Sequence, residues 1–167
     1  QCEAGRALRS NSDAATCDVC APGQYSLRGS TQCAACPPGQ YQDAAESSAC
    51  KPSLAGHYVA EWGSNQAGST CPAGRYAAAG GAECAACPFD TYRSITGAAS
   101  ASDCTVCPAG ESSSPGSVAC AECQAGRWAD GATGKCVNCP AGRAVAATGK
   151  SSAEDCIVCE IGHWSHE

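Results

Sequence analysis

Cys71-Pro72-Ala73-Gly74-Arg75-Tyr76, closed by Cys84-Ala85-Ala86-Cys87, is the stretch whose reading decides the fold. A cysteine opens it, glycine follows three residues on, and an aromatic follows five residues on. A second cysteine closes it, and after two more residues the next cysteine opens the same phrase again. Working outward, the phrase recurs along the chain at a nearly fixed period, the signature of a repeat architecture. Openers stand at Cys2, Cys20, Cys36, Ser53, Cys71, Cys87, Cys107, Cys123, Cys139 and Cys159. Glycine occupies the +3 position in every repeat except the one opened by Cys87, where Asp90 stands. The +5 position holds Tyr25, Tyr41, Tyr58, Tyr76, Tyr92, Trp128 and Trp164, which are all five tyrosines and two of the three tryptophans.

One repeat, Ser53 to Gly68, keeps Gly56 and Tyr58 but lacks both cysteines. Opener and closer are lost together, as the two halves of one bond would be. Opener-to-closer bonding then gives Cys2–Cys17, Cys20–Cys33, Cys36–Cys50, Cys71–Cys84, Cys87–Cys104, Cys107–Cys120, Cys123–Cys136 and Cys139–Cys156. Cys159 is left over and is expected to bond a partner outside the segment. Pairing within the seven C-x-x-C pairs would strand Cys2, Cys50 and Cys71. Zinc is the chemical rival, since C-x2-C-x12-C-x2-C at Cys17/Cys20/Cys33/Cys36 is a zinc-ribbon spacing. A zinc site consumes two C-x-x-C pairs, seven is odd, and the same three cysteines are orphaned, so no metal and no cofactor are expected. A thioredoxin-like motif would need one C-x-x-C at a helix start in a βαβ setting, which nothing in the sequence supplies.

Leu, Ile, Val and Phe total 14 of 167 residues, and the 44 % hydrophobic content is carried by 34 alanines and 17 cysteines. A conventional core is therefore not available, and cysteine cross-links must constrain the chain. A closed loop of this size contributes about 3 kcal/mol in the chain-entropy picture, less than the ordering cost of about 1–2 kcal/mol for each of its residues. Contacts between repeats must supply the difference. Disulfides persist in oxidising compartments, which predicts an extracellular or cell-surface location. The net charge of −6 offers no basic patch, so neither nucleic acid nor an anionic membrane is expected as a partner. No apolar stretch reaches the length of a membrane span, so direct membrane insertion is not expected.

Within a repeat such as Cys20 to Cys33, Pro22-Gly23 predicts a turn and Tyr25-Ser26-Leu27 a very short strand. A turn at Gly29-Ser30 would return the chain through Thr31-Gln32-Cys33. The fold class expected is small and disulfide-rich: tandem short β-hairpins of 16–20 residues forming an elongated rod, with little helix. The repeats ending Ser100…Asp103-Cys104 and Ser152…Asp155-Cys156 carry a capping-box pattern that predicts a single helical turn. The expected organisation is residues 1–52 as repeats one to three, 53–70 as the repeat without a disulfide, 71–158 as repeats five to nine, and 159–167 as the start of a truncated repeat.

The phrases Cys71-Pro72-Ala73-Gly74-Arg75-Tyr76 and Cys107-Pro108-Ala109-Gly110 through Cys120-Ala121-Glu122-Cys123 resemble the ephrin-receptor-like cysteine-rich repeat. This is a relative in style of EGF and TNF-receptor modules. The resemblance implies extracellular, non-catalytic, disulfide-stapled modules, found in receptor ectodomains and in large protist or algal surface proteins similar to those of flagellar hairs (mastigonemes). The chain departs from the pattern at Ser53, Gly68, Asp90, Ala7, Ser112 and Ala144.

Candidate functional residues concentrate in the bondless repeat, where Leu54, His57, Tyr58 and Trp62 lie in a stretch that no cross-link spans. Either Trp62 fills the volume the disulfide vacated, or Tyr58 and Trp62 form a docking or sugar-stacking surface. Cys159 with His163 and His166 could begin a metal site, but a truncated repeat with Trp164 as its aromatic is the simpler reading. No catalytic constellation is present, so no enzyme is expected. The function expected is a structural spacer or filament subunit of a larger secreted or surface protein, with a ligand-binding receptor or adhesion ectodomain as the alternative. The partners expected are other parts or copies of the same protein. No N-x-S/T sequon exists. O-linked sugar fits the Ser- and Thr-rich turns, and hydroxyproline-linked sugar fits Pro37-Pro38 or Ser114-Pro115 if the source is an alga.

Overall fold

A computed structural model describes residues 1–8 and 16–160. Among these residues it contains nine two-stranded antiparallel hairpins, eight disulfides and two single turns of 3-10 helix. Each disulfide joins an opener to the closer of its own repeat, with Cα–Cα separations of 5.5–5.9 Å. The chain forms two compact bodies. One comprises Gln1–Pro72, Tyr76–Ala85 and Thr96–Ser100, and the other Ala73–Arg75, Ala86–Ile95 and Ala101–Glu167.

The hairpins differ from the sequence expectation in their returning strand. Gln24–Tyr25 pairs with Ala34–Ala35, not with Thr31-Gln32-Cys33, in the register Tyr25↔Ala34 and Gln24↔Ala35. The returning strand is thus the dipeptide between closer and next opener. Two disulfides running in opposite directions hold that dipeptide extended, and its backbone groups need partners. The +4 and +5 residues supply them. The same register sets Tyr41 opposite Lys51, Tyr58 opposite Ser69 and Tyr92 opposite Thr105. The hairpin Arg127–Asp130 with Lys135–Asn138 is the longest, at four residues per strand.

The +5 aromatics are not the interior. Those among the described residues are only half-buried, whereas the openers Cys20, Cys36, Cys71 and Cys87 are 0 % exposed. Beside the openers lie the +3 glycines and the small +6 residues, among them Ser26, Val59, Ala77, Ser113 and Ala129. Main-chain packing between repeats thus replaces the side-chain core that the composition denies.

Three successive repeats meet at each rung. In the first body, the Gly56 carbonyl accepts from the Cys71 N–H at 2.8 Å, and the Cys71 carbonyl accepts from the Gly97 N–H at 2.9 Å. The Gly97 carbonyl then lies against Gly56, where a β-carbon would stand only 2.3 Å from its oxygen. Gly23 meets Gly63, and Gly39 meets Gly80, in the same way. In the second body Gly74 meets Gly116, and Gly110 meets Gly149. The +6 backbone adds a second ladder: Val59 N–H donates to Gly81 at 3.1 Å while its carbonyl accepts from Gly39 at 2.7 Å. Contact therefore reaches two repeats along, beyond the nearest-neighbour packing that the short linkers suggest.

Asp90 satisfies the exception within this rule. Its φ of 59° is left-handed, a conformation that Asp tolerates. The residue two repeats on is Gly134, which leaves room for the Asp90 β-carbon because it has none of its own. The helical turns occur at Ala101–Asp103 and Ala153–Asp155, the second with a full capping box between Ser152 and Asp155. Both longer repeats also use an arginine to secure the backbone beside the turn. Arg93 Nη1 donates to the Asp103 carbonyl and Arg143 Nη1 to the Cys156 carbonyl.

Candidate functional site

The bondless repeat keeps every main-chain tie of its neighbours. Ser53 N–H donates to Gly39 at 2.9 Å, and the Ser53 carbonyl accepts from Gly80 at 3.0 Å. What changes is the small volume where a disulfide would lie. Ser53 is 1 % exposed, with its hydroxyl 3.4 Å from both the His57 and Gly81 carbonyls. A β-carbon on Gly68 would stand 2.9 Å from Val59 Cγ2. Val59 is itself 3 % exposed. Gly68 is thus closed in by the Tyr58 carbonyl, whose oxygen would stand 2.4 Å from the same β-carbon, and by the Val59 side chain beside it.

This overturns the compensation reading in its particulars. Trp62 is 68 % exposed and fills no vacated volume. A disulfide frees room for two sulfurs, which suits two methyl groups and not an indole. The signal that could have found Val59 is its +6 position, directly after the ladder's aromatic. The two candidate binding residues also part company. Tyr58 packs on the buried cluster of Cys71, Ala77 and Cys84, so its ring serves the interior of the next repeat. Trp62 and Leu54, 60 % exposed, stand on the surface. His57 shares a 3.2 Å contact between its Nε2 and Thr70 Oγ1, the residue opposite it in the hairpin.

No group of three or more His, Cys, Asp or Glu side chains among the described residues is placed to hold a metal ion. Cys159 is a free, half-buried thiol whose N–H donates to the Gly142 carbonyl. His163, Trp164 and His166 lie outside the described residues. Two ion pairs among the described residues lie on the surface. Lys51 donates to Asp43 at 2.5 Å and holds that carboxyl below its usual range. Arg6 pairs with Glu46 two repeats on, with the same effect on Glu46. Depressed carboxyl pKa values stabilise above the ordinary carboxylate range, and that contribution fades as the pH falls through the folded values. No helix among the described residues is long and apolar enough to cross a membrane.

Limited proteolysis of the oxidised protein is expected to cut first between Cys50 and Cys71. This is the longest stretch outside any disulfide loop, and it presents Leu54 and Trp62 to a chymotrypsin-like protease. A cut there frees two fragments without reduction, visible on a non-reducing gel. A first cut inside Cys107 to Cys139 would overturn the expectation. Trp62→Ala is expected to leave stability within about 0.5 kcal/mol of the parent, as exposed substitutions do. A larger loss in denaturant unfolding would return Trp62 to the interior.

No curated protein matches the chain. A family model described as tyrosine-protein kinase ephrin type A/B receptor-like matches residues 23–71 and again residues 56–104. Each match starts at a +3 glycine and runs through three successive repeats, the same span over which one rung is assembled. The first match includes the whole bondless repeat, and the second begins within it. With cysteine, glycine and aromatic in register, and with the hairpins and rungs in place, residues 23–104 belong to the ephrin-receptor-like cysteine-rich repeat family.

Proposed function

We propose that this chain is a structural segment of a larger secreted or cell-surface protein, serving as a spacer or as part of a filament. The family match and eight disulfides fit an extracellular location. The observation that carries the reading is the rung. Main-chain bonds tie successive repeats, close contacts at Gly23, Gly39, Gly56, Gly74 and Gly110 reach two repeats along, and a disulfide closes eight of the nine described hairpin repeats. Such a design commits the polar backbone to holding the array and limits how far any repeat extends under load. Other parts or copies of the same protein are the natural partners. A filament of the flagellar-hair kind is the finer form of the proposal.

Electron microscopy of the native parent protein tests it. Ordered polymers are the expected result. Dispersed particles that take up a soluble protein ligand saturably would overturn it. The alternative, a ligand-binding ectodomain, draws support from one observation: Trp62 and Leu54 are exposed in the repeat that lacks its staple. Under that reading Trp62→Ala abolishes ligand binding without changing stability. Under the structural reading the substitution is silent in both measurements.

A further inference from the structure

The ladder's aromatic is missing at Ser112, and an open surface cleft of about 470 Å³ lies there within the second body. Its lining joins the one phenylalanine of the chain, Phe89, to Ser112, Glu122, Gln124, Arg127 and Lys135, with further serine hydroxyls between them. The five preceding repeats carry a tyrosine at this position, and here Ser112 lines the space. Instead the Ser112 hydroxyl turns to the Gly134 carbonyl at 2.6 Å. Phe89 is 49 % exposed, and Lys135 Nζ sits 4.7 Å from its ring centroid. Arg127 is oriented by its Nε–H bond to Asn138 Oδ1 at 2.9 Å.

We propose that this cleft binds a carboxylated saccharide. The size suits a small ligand, since such pockets run about 300–1,000 Å³. An aromatic wall receives the C–H face of a sugar ring. Short hydroxyl and amide side chains match a polyol without demanding deep burial. The one large apolar side chain is too little for a lipid. Two cations against the single carboxylate of Glu122 favour an acidic sugar over a neutral one. Lys135, held over the Phe89 ring, places its ammonium where a sugar carboxylate can meet it while the ring lies alongside. The proposal does not depend on the spacer reading, because a spacer needs no ligand.

Calorimetric titration of the oxidised chain with linear trigalacturonate, and with neutral galactotriose as its counterpart, tests the proposal. Trigalacturonate is expected to bind saturably and about tenfold or more tightly than galactotriose. Ser112→Tyr restores the repeat's own aromatic, so it should fold, with an unchanged disulfide map as the check, and it should abolish binding. Lys135→Gln is expected to erase the preference for the acidic sugar while keeping the fold. Absence of binding by both trisaccharides, binding unchanged in Ser112→Tyr, or a preference unchanged in Lys135→Gln would each overturn the proposal. So would saturable binding of hexaglutamate as tight as that of trigalacturonate, which would assign the cleft to acidic peptides.

Discussion

Gly56→Ala is expected to lower stability by about 2–5 kcal/mol, most of it lost at one rung. Two independent penalties add. Gly56 has a φ of 78°, which costs an L-residue about 1–2 kcal/mol. The new β-carbon would also stand 2.3 Å from the Gly97 carbonyl oxygen, with no flexible side chain to give way. Gly97 is anchored by its N–H bond to Cys71, and Cys71 by its own N–H bond to Gly56, so the three backbones must separate together. Overpacking of a well-filled site costs about 1–3 kcal/mol. Gly126→Ala is the control. Its φ of 82° is nearly the same, but nothing among the described residues lies within 4 Å of the added carbon. That variant should lose only the conformational part. Guanidinium unfolding of the oxidised proteins gives the totals, and hydrogen exchange at the amides of Cys71 and Gly97 localises the loss. Equal losses in the two variants would mean that the approach of Gly97 contributes nothing to the need for glycine.

That contact marks where sequence reading stops. The opener, the +3 glycine and the +5 aromatic were legible because the same local constraint recurs at one spacing, and the hairpin class follows from it. A period tells which positions are equivalent but not which copies touch. Gly56 and Gly97 look like two ordinary turn glycines until the backbone brings them together. The returning strand was misread because Thr31-Gln32-Cys33 precedes the closer, whereas the ladder partner of Tyr25 is Ala34, just beyond it. The +6 residue escaped notice for a different reason. Ser26, Gln42, Val59, Ala77 and Val145 share burial and backbone bonding, not side-chain chemistry, so no motif displays them. Size is a poor guide at Trp62: the ring area lies on the surface, while the buried side chain beside Gly68 is Val59.

Valine at the +6 position is expected to change sign with the disulfide beside it. In the four repeats whose disulfide spans 13 residues, the +6 residues are Ser26, Ala77, Ser113 and Ala129, all small. The bondless repeat has Val59, and Val145 accompanies a disulfide only in a longer loop of separation 17. In the repeat opened by Cys71, the disulfide and Ala77 form one buried cluster, Cys71 at 0 %, Ala77 at 5 % and Cys84 at 8 % exposed. Cys71→Ser with Cys84→Gly copies the Ser53/Gly68 arrangement there and should cost about 2–5 kcal/mol. Adding Ala77→Val to that pair should recover about 1–1.5 kcal/mol, from two methyl groups placed in the vacated space. The same Ala77→Val in the disulfide-bonded parent should instead lose about 1–3 kcal/mol by overpacking. The double-mutant cycle therefore predicts a coupling of at least about 2 kcal/mol between the staple and the +6 side chain. Denaturant midpoints of the four proteins, compared at unchanged slope, measure it. If Ala77→Val has the same sign in both backgrounds, Val59 is not the substitute for the missing bond, and the bondless repeat is held by its main-chain ties alone.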